Sequence, residues 1–227
     1  MKNRSFKLKT PQSNGPRFAL IPGGSVASCI PLQKNTPAIA MDHLEVTVTP
    51  TYLAPSEADD LFHALTTQII WDERMKSRKT ACFGQTYDDS GIAYEEVLMH
   101  PLLALLCQKL TATLGFAPTN CLINYYENGR SSMGFHSDAT YNLAAGTGVA
   151  IISLGAERVL TFRSKTTPHL EHAFSLPSGS LLYMTQATQD HWMHAVKKTD
   201  TDDARISLTF RHILKPAELA ARQTAAR

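Results

Sequence analysis

Residues 147–163 read TGVAIISLGAERVLTFR, two short apolar segments with Gly155-Ala156 between them. They read as two strands joined by a turn. Working outward, the same punctuation recurs. Upstream lie NCLINYYE (120–127) and MGFHS (133–137). Downstream lie EHAFSL (171–176), GSLLYMT (179–185), HWMHAVK (191–197) and ARISLTFRHIL (204–214). Asn128-Gly129, Ala145-Gly146 and Pro177-Ser178-Gly179 supply further turn signals. Eight candidate strands so closely spaced favour a two-sheet jelly roll or a barrel over a doubly wound fold.

The first half of the chain has another character. Residues 1–41 are rich in Pro, Gly and Ser, and before Asp42 they hold Lys2, Arg4, Lys7, Lys9, Arg17 and Lys34 but no acid. They are expected to form a flexible basic arm; a phosphate contact or a targeting role are the other readings. HLEVTVTPTYL (43–53) alternates as a strand does, and Pro55-Ser56 opens a helix, with Ser56 expected as its N-cap. A second helix spans about 96–114, interrupted or started at Pro101 and closed by Gly115. Between the helices, residues 71–94 show no clear period and interleave Arg74, Lys76, Arg78 and Lys79 with Phe83, Tyr87 and Tyr94. Such a mixture suits a surface that handles nucleotides, and equally a plain exposed loop. Helices first and strands after make an α+β chain.

Composition narrows the classes. Hydrophobic residues make up 43% and charged residues 19%, as in ordinary globular proteins. No run of about 18 apolar residues occurs, so no membrane span is expected. The four cysteines, Cys29, Cys82, Cys107 and Cys121, form no C-x-x-C pair. They argue against a disulfide framework or a cysteine zinc site and fit a reducing, cytoplasmic setting. A net charge of +2 does not by itself advertise nucleic-acid binding. A monomer is expected.

Three pieces carry chemistry together. His136-Ser137-Asp138 alone reads as a polar turn. In HWMHAV, His191 and His194 are three apart, so on a strand only one can share a face with a site. One of these histidines with His136 and Asp138 makes two imidazoles and a carboxylate, the facial set of non-haem Fe(II) oxygenases. Zinc is compatible with the same donors. In RISLTFR, Arg205, Ser207, Thr209 and Arg211 share one face and Ile206, Leu208 and Phe210 the other; Asn124 and Tyr126 likewise share a face of INYYE. A polar face with two arginines is ordinary where a sheet meets solvent. Inside a jelly roll it is a cradle where each guanidinium fork grips a carboxylate, and an acid co-substrate chelating iron needs such a cation at its far end.

The order H-x-D, distal His, then two arginines in a terminal strand resembles the 2-oxoglutarate- and Fe(II)-dependent dioxygenases. CLINYYENG, GFHSD, HWMH and ARISLTFR, with SRKTACFG and YDDSG before them, narrow the resemblance to the AlkB family of alkylated-nucleobase dealkylases, over about residues 70–214. It implies a double-stranded β-helix (jelly roll, about 119–214) within a domain at 42–214, flanked by N-terminal helices and a nucleotide-recognition lid at about 71–95, with a tail at 215–227. It implies Fe(II) on His136, Asp138 and His194, leaving His191 structural. Asn124, Tyr126, Arg205, Ser207 and Arg211 would hold 2-oxoglutarate, with O2 as the other co-substrate. The implied substrate is an N-methylated base in single-stranded or flipped DNA or RNA, contacted by Arg78, Lys79, Tyr87, Ser90 and Thr140, and released with formaldehyde, succinate and CO2 as products. The chain departs from the family pattern in three places. Ser207 stands where Asn is common, Ala139-Thr140 where an acid usually contacts the exocyclic amine of the base, and Asp89 where an aromatic often precedes Ser-Gly. The alternative is a hydroxylase of a protein or small molecule using the same iron and 2-oxoglutarate residues.

Overall fold

The computed structural model describes residues 43–89 and 91–225. The basic arm expected at 1–41, and Ser90, lie outside the described residues.

Strand β1 (Val46–Thr49) leads into helix α1 (Pro55–Gln68). Strands β2 (Lys79–Gly84), β3 (Tyr87–Asp89) and β4 (Ile92–Tyr94) precede helix α2 (Pro101–Leu114). Then follow β5 (Asn120–Tyr126), β6 (Met133–His136), β7 (Gly148–Gly155), β8 (Arg158–Ser164), β9 (Glu171–Leu176) and β10 (Leu181–Thr185). Helix α3 (Gln186–His191), β11 (Trp192–Val196), β12 (Arg205–Arg211) and α4 (Pro216–Ala225) complete the described chain. All eight strands expected after residue 120 are present. The expected cap of α1 is corrected: Ala54 is the N-cap, without a side-chain bond, and Ser56 lies inside the helix. Pro55 takes the first helical position, where its missing N–H costs nothing. The start of α2 at Pro101 and its left-handed closure at Gly115 agree with the sequence.

The strands form two antiparallel sheets. One has the order β1-β10-β7-β12-β5-β2 and the other β6-β11-β8-β9, with β3-β4 as a separate hairpin. In β7 and β12 the period of two divides the side chains between two cores. Ala150, Ile152, Leu154, Ile206, Leu208 and Phe210 pack with Leu61, Leu65, Leu103 and Leu110 of the helices. Val149 and Ile151 face the second sheet, among Leu160, Phe162, Trp192 and Val196. Both faces of the large sheet are therefore covered. The four polar side chains of β12 lie between the sheets, not in solvent, and all are buried.

The expected lid is partly corrected. Lys79–Gly84 is an edge strand of the large sheet, paired with β5 from Lys79↔Tyr125 to Gly84↔Asn120. Among the described strands, only the hairpin β3-β4 lies apart from the two sheets. The edge strand was hidden because its six residues are bounded by a lysine and a glycine, leaving too short a pattern to show a period.

Candidate active site

His136 ends β6 and pairs directly with His194 of β11, which places the two rings 4.3 Å apart. Asp138 follows in the next loop, and one ligand atom from each of the three residues lies within 4.8 Å of the others. His191 is not on the strand at all: it is the last residue of α3 and is exposed. The helix, rather than strand alternation, keeps it away from the site.

Two neighbours hold the loop in place, and neither drew notice in the sequence. The Asp138 backbone N–H donates to Gln189 Oε1 at 2.9 Å, and Ser137 Oγ donates to the Trp192 carbonyl at 2.8 Å. A Gln in an unforeseen short helix carries no local signal of such a role. His136 Nδ1 lies 2.9 Å from the Gly134 carbonyl, which fits a proton on that nitrogen and leaves Nε2 as the ligand atom.

The electrostatics prepare Asp138 and His194 as metal donors. Burial opposes ionisation of Asp138, but the Arg211 guanidinium and the two histidines outweigh it and hold the carboxyl well below the usual range. Burial and the neighbouring His136 push His194 down to about 3, so its imidazole stays neutral and able to ligate. Burial also opposes protonation of His136, but its hydrogen bond to Asp138 and that carboxylate's charge leave its pKa raised.

The cavity between the sheets continues from this triad to β12 and is lined by Asn124, Tyr126, Arg205, Ser207, Thr209 and Arg211. The two arginines, read alike in the sequence, have different work. Arg211 Nη2 donates to Asp138 Oδ2 at 2.9 Å while its guanidinium covers the Tyr87 ring at 4.3 Å. One arm of its fork thus holds a protein carboxylate, Nη1 donates to the Thr209 carbonyl at 3.4 Å, and Nε has no hydrogen-bond partner among the described residues. Arg205 donates from Nη2 to Ser153 Oγ at 2.8 Å, and its Nε and Nη1 have no hydrogen-bond partner among the described residues. It is 1% exposed and its guanidinium lies 5.3 Å from the Tyr126 ring, whose surroundings include a second buried cation, Arg158, at 5.7 Å. A desolvated cation with idle donors is costly unless an anion completes it. The end of the cavity at Arg205 therefore fits a ligand carboxylate, and the other end offers three metal donors.

The residues expected at the substrate are more scattered. Arg78 is buried, with Nε donating to Asn124 Oδ1 at 2.6 Å and Nη2 to Asp89 Oδ2 at 2.7 Å. Tyr87 is buried under Arg211. Both lie behind residues that line the cavity, Arg78 on Asn124 and Asp89, and Tyr87 on Arg211, and neither forms a surface cradle. Lys79 is partly exposed and ion-paired to Glu73 and Glu127, at 2.8 and 3.0 Å. Thr140 offers its carbonyl to Gln186 Nε2 at 3.0 Å and does not line the cavity.

A family model of the 2OG-Fe(II) oxygenase superfamily matches residues 45–211. The chain is 29% identical over 188 residues to the alpha-ketoglutarate-dependent dioxygenase alkB homolog 3 of Bos taurus, covering 74% of this chain and 66% of that protein, just under two thirds of its length. It is 30% identical over 182 residues to the DNA oxidative demethylase ALKBH2 of Homo sapiens, covering 70% of each. Among solved structures, that of OsALKBH1 superposes with a TM-score of 0.53 at 16% identity, covering 75% of this chain and 97% of that one, a likeness of fold.

Proposed function

The chain belongs to the AlkB family of 2-oxoglutarate- and Fe(II)-dependent dioxygenases, and from that premise we propose that it removes N-methyl groups oxidatively from nucleobases in nucleic acid. The observation that carries the reading is the pairing, in one cavity, of the His136, Asp138 and His194 donors with the buried, incompletely partnered fork of Arg205. His136, Asp138 and His194 would hold the iron, and Arg205, with Ser207, Asn124 and Tyr126 beside it, would hold 2-oxoglutarate. Together with O2 these groups supply the oxidising chemistry, releasing succinate and CO2 from the co-substrate and formaldehyde from the methyl group.

What the protein contributes is placement. Gln189 and Arg211 fix the Asp138 carboxylate from its backbone and its side chain. Burial keeps His194 neutral. Apolar Leu122, Ile151, Leu160 and Val196 line the same cavity and limit the water within it. A base stacked in a duplex cannot enter such a cavity, so the substrate is single-stranded or flipped out at a cost of roughly a few kcal/mol.

Formaldehyde release from methylated single- and double-stranded DNA and RNA, with Fe(II) and 2-oxoglutarate present, tests the reading and separates DNA from RNA. One observation favours a second reading. Arg78 and Lys79 are engaged by Asp89, Glu73 and Glu127, so they are not idle phosphate-binding cations. Succinate release with a protein or small-molecule substrate, and none with any oligonucleotide, would support that hydroxylase instead.

A further inference from the structure

Arg158, the first residue of β8, is a buried cation whose hydrogen bonds all go to neutral backbone carbonyls. Nη1 donates to the Asn128 carbonyl at 3.3 Å, and Nη2 to those of Ser131 and Lys197 at 3.0 and 2.7 Å. Asn128 and Ser131 lie between β5 and β6, and Lys197 just beyond β11. Tyr126 ends β5 and Arg205 begins β12, opposite each other in the sheet, so both connections leave from the Arg205 end of the cavity. They also bond to one another: the Gly129 N–H donates to the Thr201 carbonyl at 2.7 Å and the Thr199 N–H to the Gly129 carbonyl at 3.0 Å. A Cβ at Gly129 would collide with the Thr199 carbonyl oxygen, so the approach is as close as backbone allows.

Carbonyl dipoles solvate a guanidinium without neutralising it, and a tie between loops needs no charge. The charge of Arg158 has a definite place. Its guanidinium lies 5.7 Å from the centre of the Tyr126 ring, and that of Arg205 lies 5.3 Å from the same ring. Two buried cations thus share one aromatic side chain, whose π face offsets each only in part. Burial holds both below the ordinary arginine value, and the charge of Arg158 lowers Arg205 further. Arg205 lines the cavity and Arg158 does not.

We infer that Arg158 is a positioning residue for the co-substrate: it closes the Arg205 end of the cavity through the two loops, and its charge reserves that end for a carboxylate. This rests on the placement of the remote carboxylate of 2-oxoglutarate at Arg205, and not on which substrate is oxidised. A carboxylate there offsets the repulsion between the two arginines. An uncharged group of similar size leaves both cations uncompensated.

The probes are 2-oxoglutarate and 2-oxopentanoate, which has the same carbon chain with a methyl group in place of the remote carboxylate. Each is titrated calorimetrically into anaerobic Fe(II)-loaded protein, where the fitted stoichiometry absorbs any unfolded fraction. Arg158→Gln keeps a donor for the carbonyls and removes the charge, with Arg158→Met as a second uncharged variant. In either, the Kd of 2-oxoglutarate rises by about fivefold to thirtyfold, and that of 2-oxopentanoate changes by less than about threefold. Arg158→Lys keeps the charge and loses the fork that spans the carbonyls. Its preference for 2-oxoglutarate stays within about threefold of the wild type, while the melting temperature of the ligand-free protein falls. If the uncharged variants weaken both acids in parallel, or neither, Arg158 is a tie between loops only and the inference is wrong. It is equally wrong if Arg158→Lys loses the preference as fully as they do. A wild type that binds the two acids equally well would remove the carboxylate from Arg205, and that placement would fall first.

Discussion

Replacing Arg205 by Met should separate ligand binding from stability, with opposite signs. The side chain is 1% exposed, donates to Ser153 Oγ, and has two further donor nitrogens without a hydrogen-bond partner among the described residues. If those donors serve the remote carboxylate of 2-oxoglutarate, their loss removes one partner of a buried charge pair, which costs about 2–5 kcal/mol. At about 1.4 kcal/mol per tenfold, affinity falls by roughly 30-fold to several thousand-fold. Arg205→Lys restores the charge but not the planar fork and recovers only part of the loss. Without the ligand, however, Arg205 is a cation held in an apolar setting, and burial pushes its pKa below the ordinary value. Exchanging it for Met should leave the ligand-free melting temperature unchanged or higher. Calorimetric titration of 2-oxoglutarate into anaerobic Fe(II)-loaded protein gives the first quantity, and thermal unfolding of the ligand-free protein the second. A change in Kd below about threefold, or a ligand-free variant melting several degrees lower, would show that Arg205 is a structural tie to Ser153 and not the carboxylate anchor.

Other expectations concern the metal end. His136→Ala, Asp138→Ala and His194→Ala should each lose tight Fe(II) binding by equilibrium dialysis, whereas His191→Ala, altered at the exposed end of α3, should keep it. Gln189→Leu strands the buried Asp138 N–H, at about 1–3 kcal/mol, and loosens a metal ligand; a roughly 10- to 100-fold loss of Fe(II) affinity is expected, and unchanged affinity would dismiss Gln189 as a positioning residue. In protein stripped of metal with EDTA, stability should fall on acidification from pH 6.5 toward 4. His194 titrates at about 3 when folded against 6.5 as a model group, so only the unfolded chain takes up its proton in that window. The slope is up to about 1.4 kcal/mol per pH unit, and its upper part, above the carboxylate range in which the depressed Asp138 adds a slope of its own, should be lost in His194→Leu when followed by denaturant melts. His136, whose folded pKa is raised, adds stability that is fully present below its unfolded value and so contributes no slope there. Finally, Gly155→Ala should destabilise the protein by roughly 1 kcal/mol or more, read as a lower melting temperature, because φ is +78° there and a Cβ would sit 2.5 Å from the Ala204 carbonyl oxygen.

Much of this was legible in the sequence. Strands β5 to β12 follow from a period of two and from turn residues, which are local properties of a dozen residues or fewer. The same alternation put Arg205, Ser207, Thr209 and Arg211 on one face, and the H-x-D and H-W-x-H patterns supplied the donor types. What alternation could not say is what lies opposite a face. Only the packing of β6-β11-β8-β9 over the large sheet turns the polar side of β12 from an ordinary wet surface into the wall of a cavity. Only the pairing of residues far apart in the chain distinguishes Arg211, bound to Asp138 across 73 positions, from Arg205, which meets a hydroxyl and no carboxylate among the described residues. Arg78, read as a surface cation, proves to be an internal strut for the same reason: its partners Asn124 and Asp89 lie on other strands. A chain's local pattern dictates which way each side chain points along its own strand, whereas burial, ion pairing and the pKa of a group are set by atoms that only folding brings within a few ångströms.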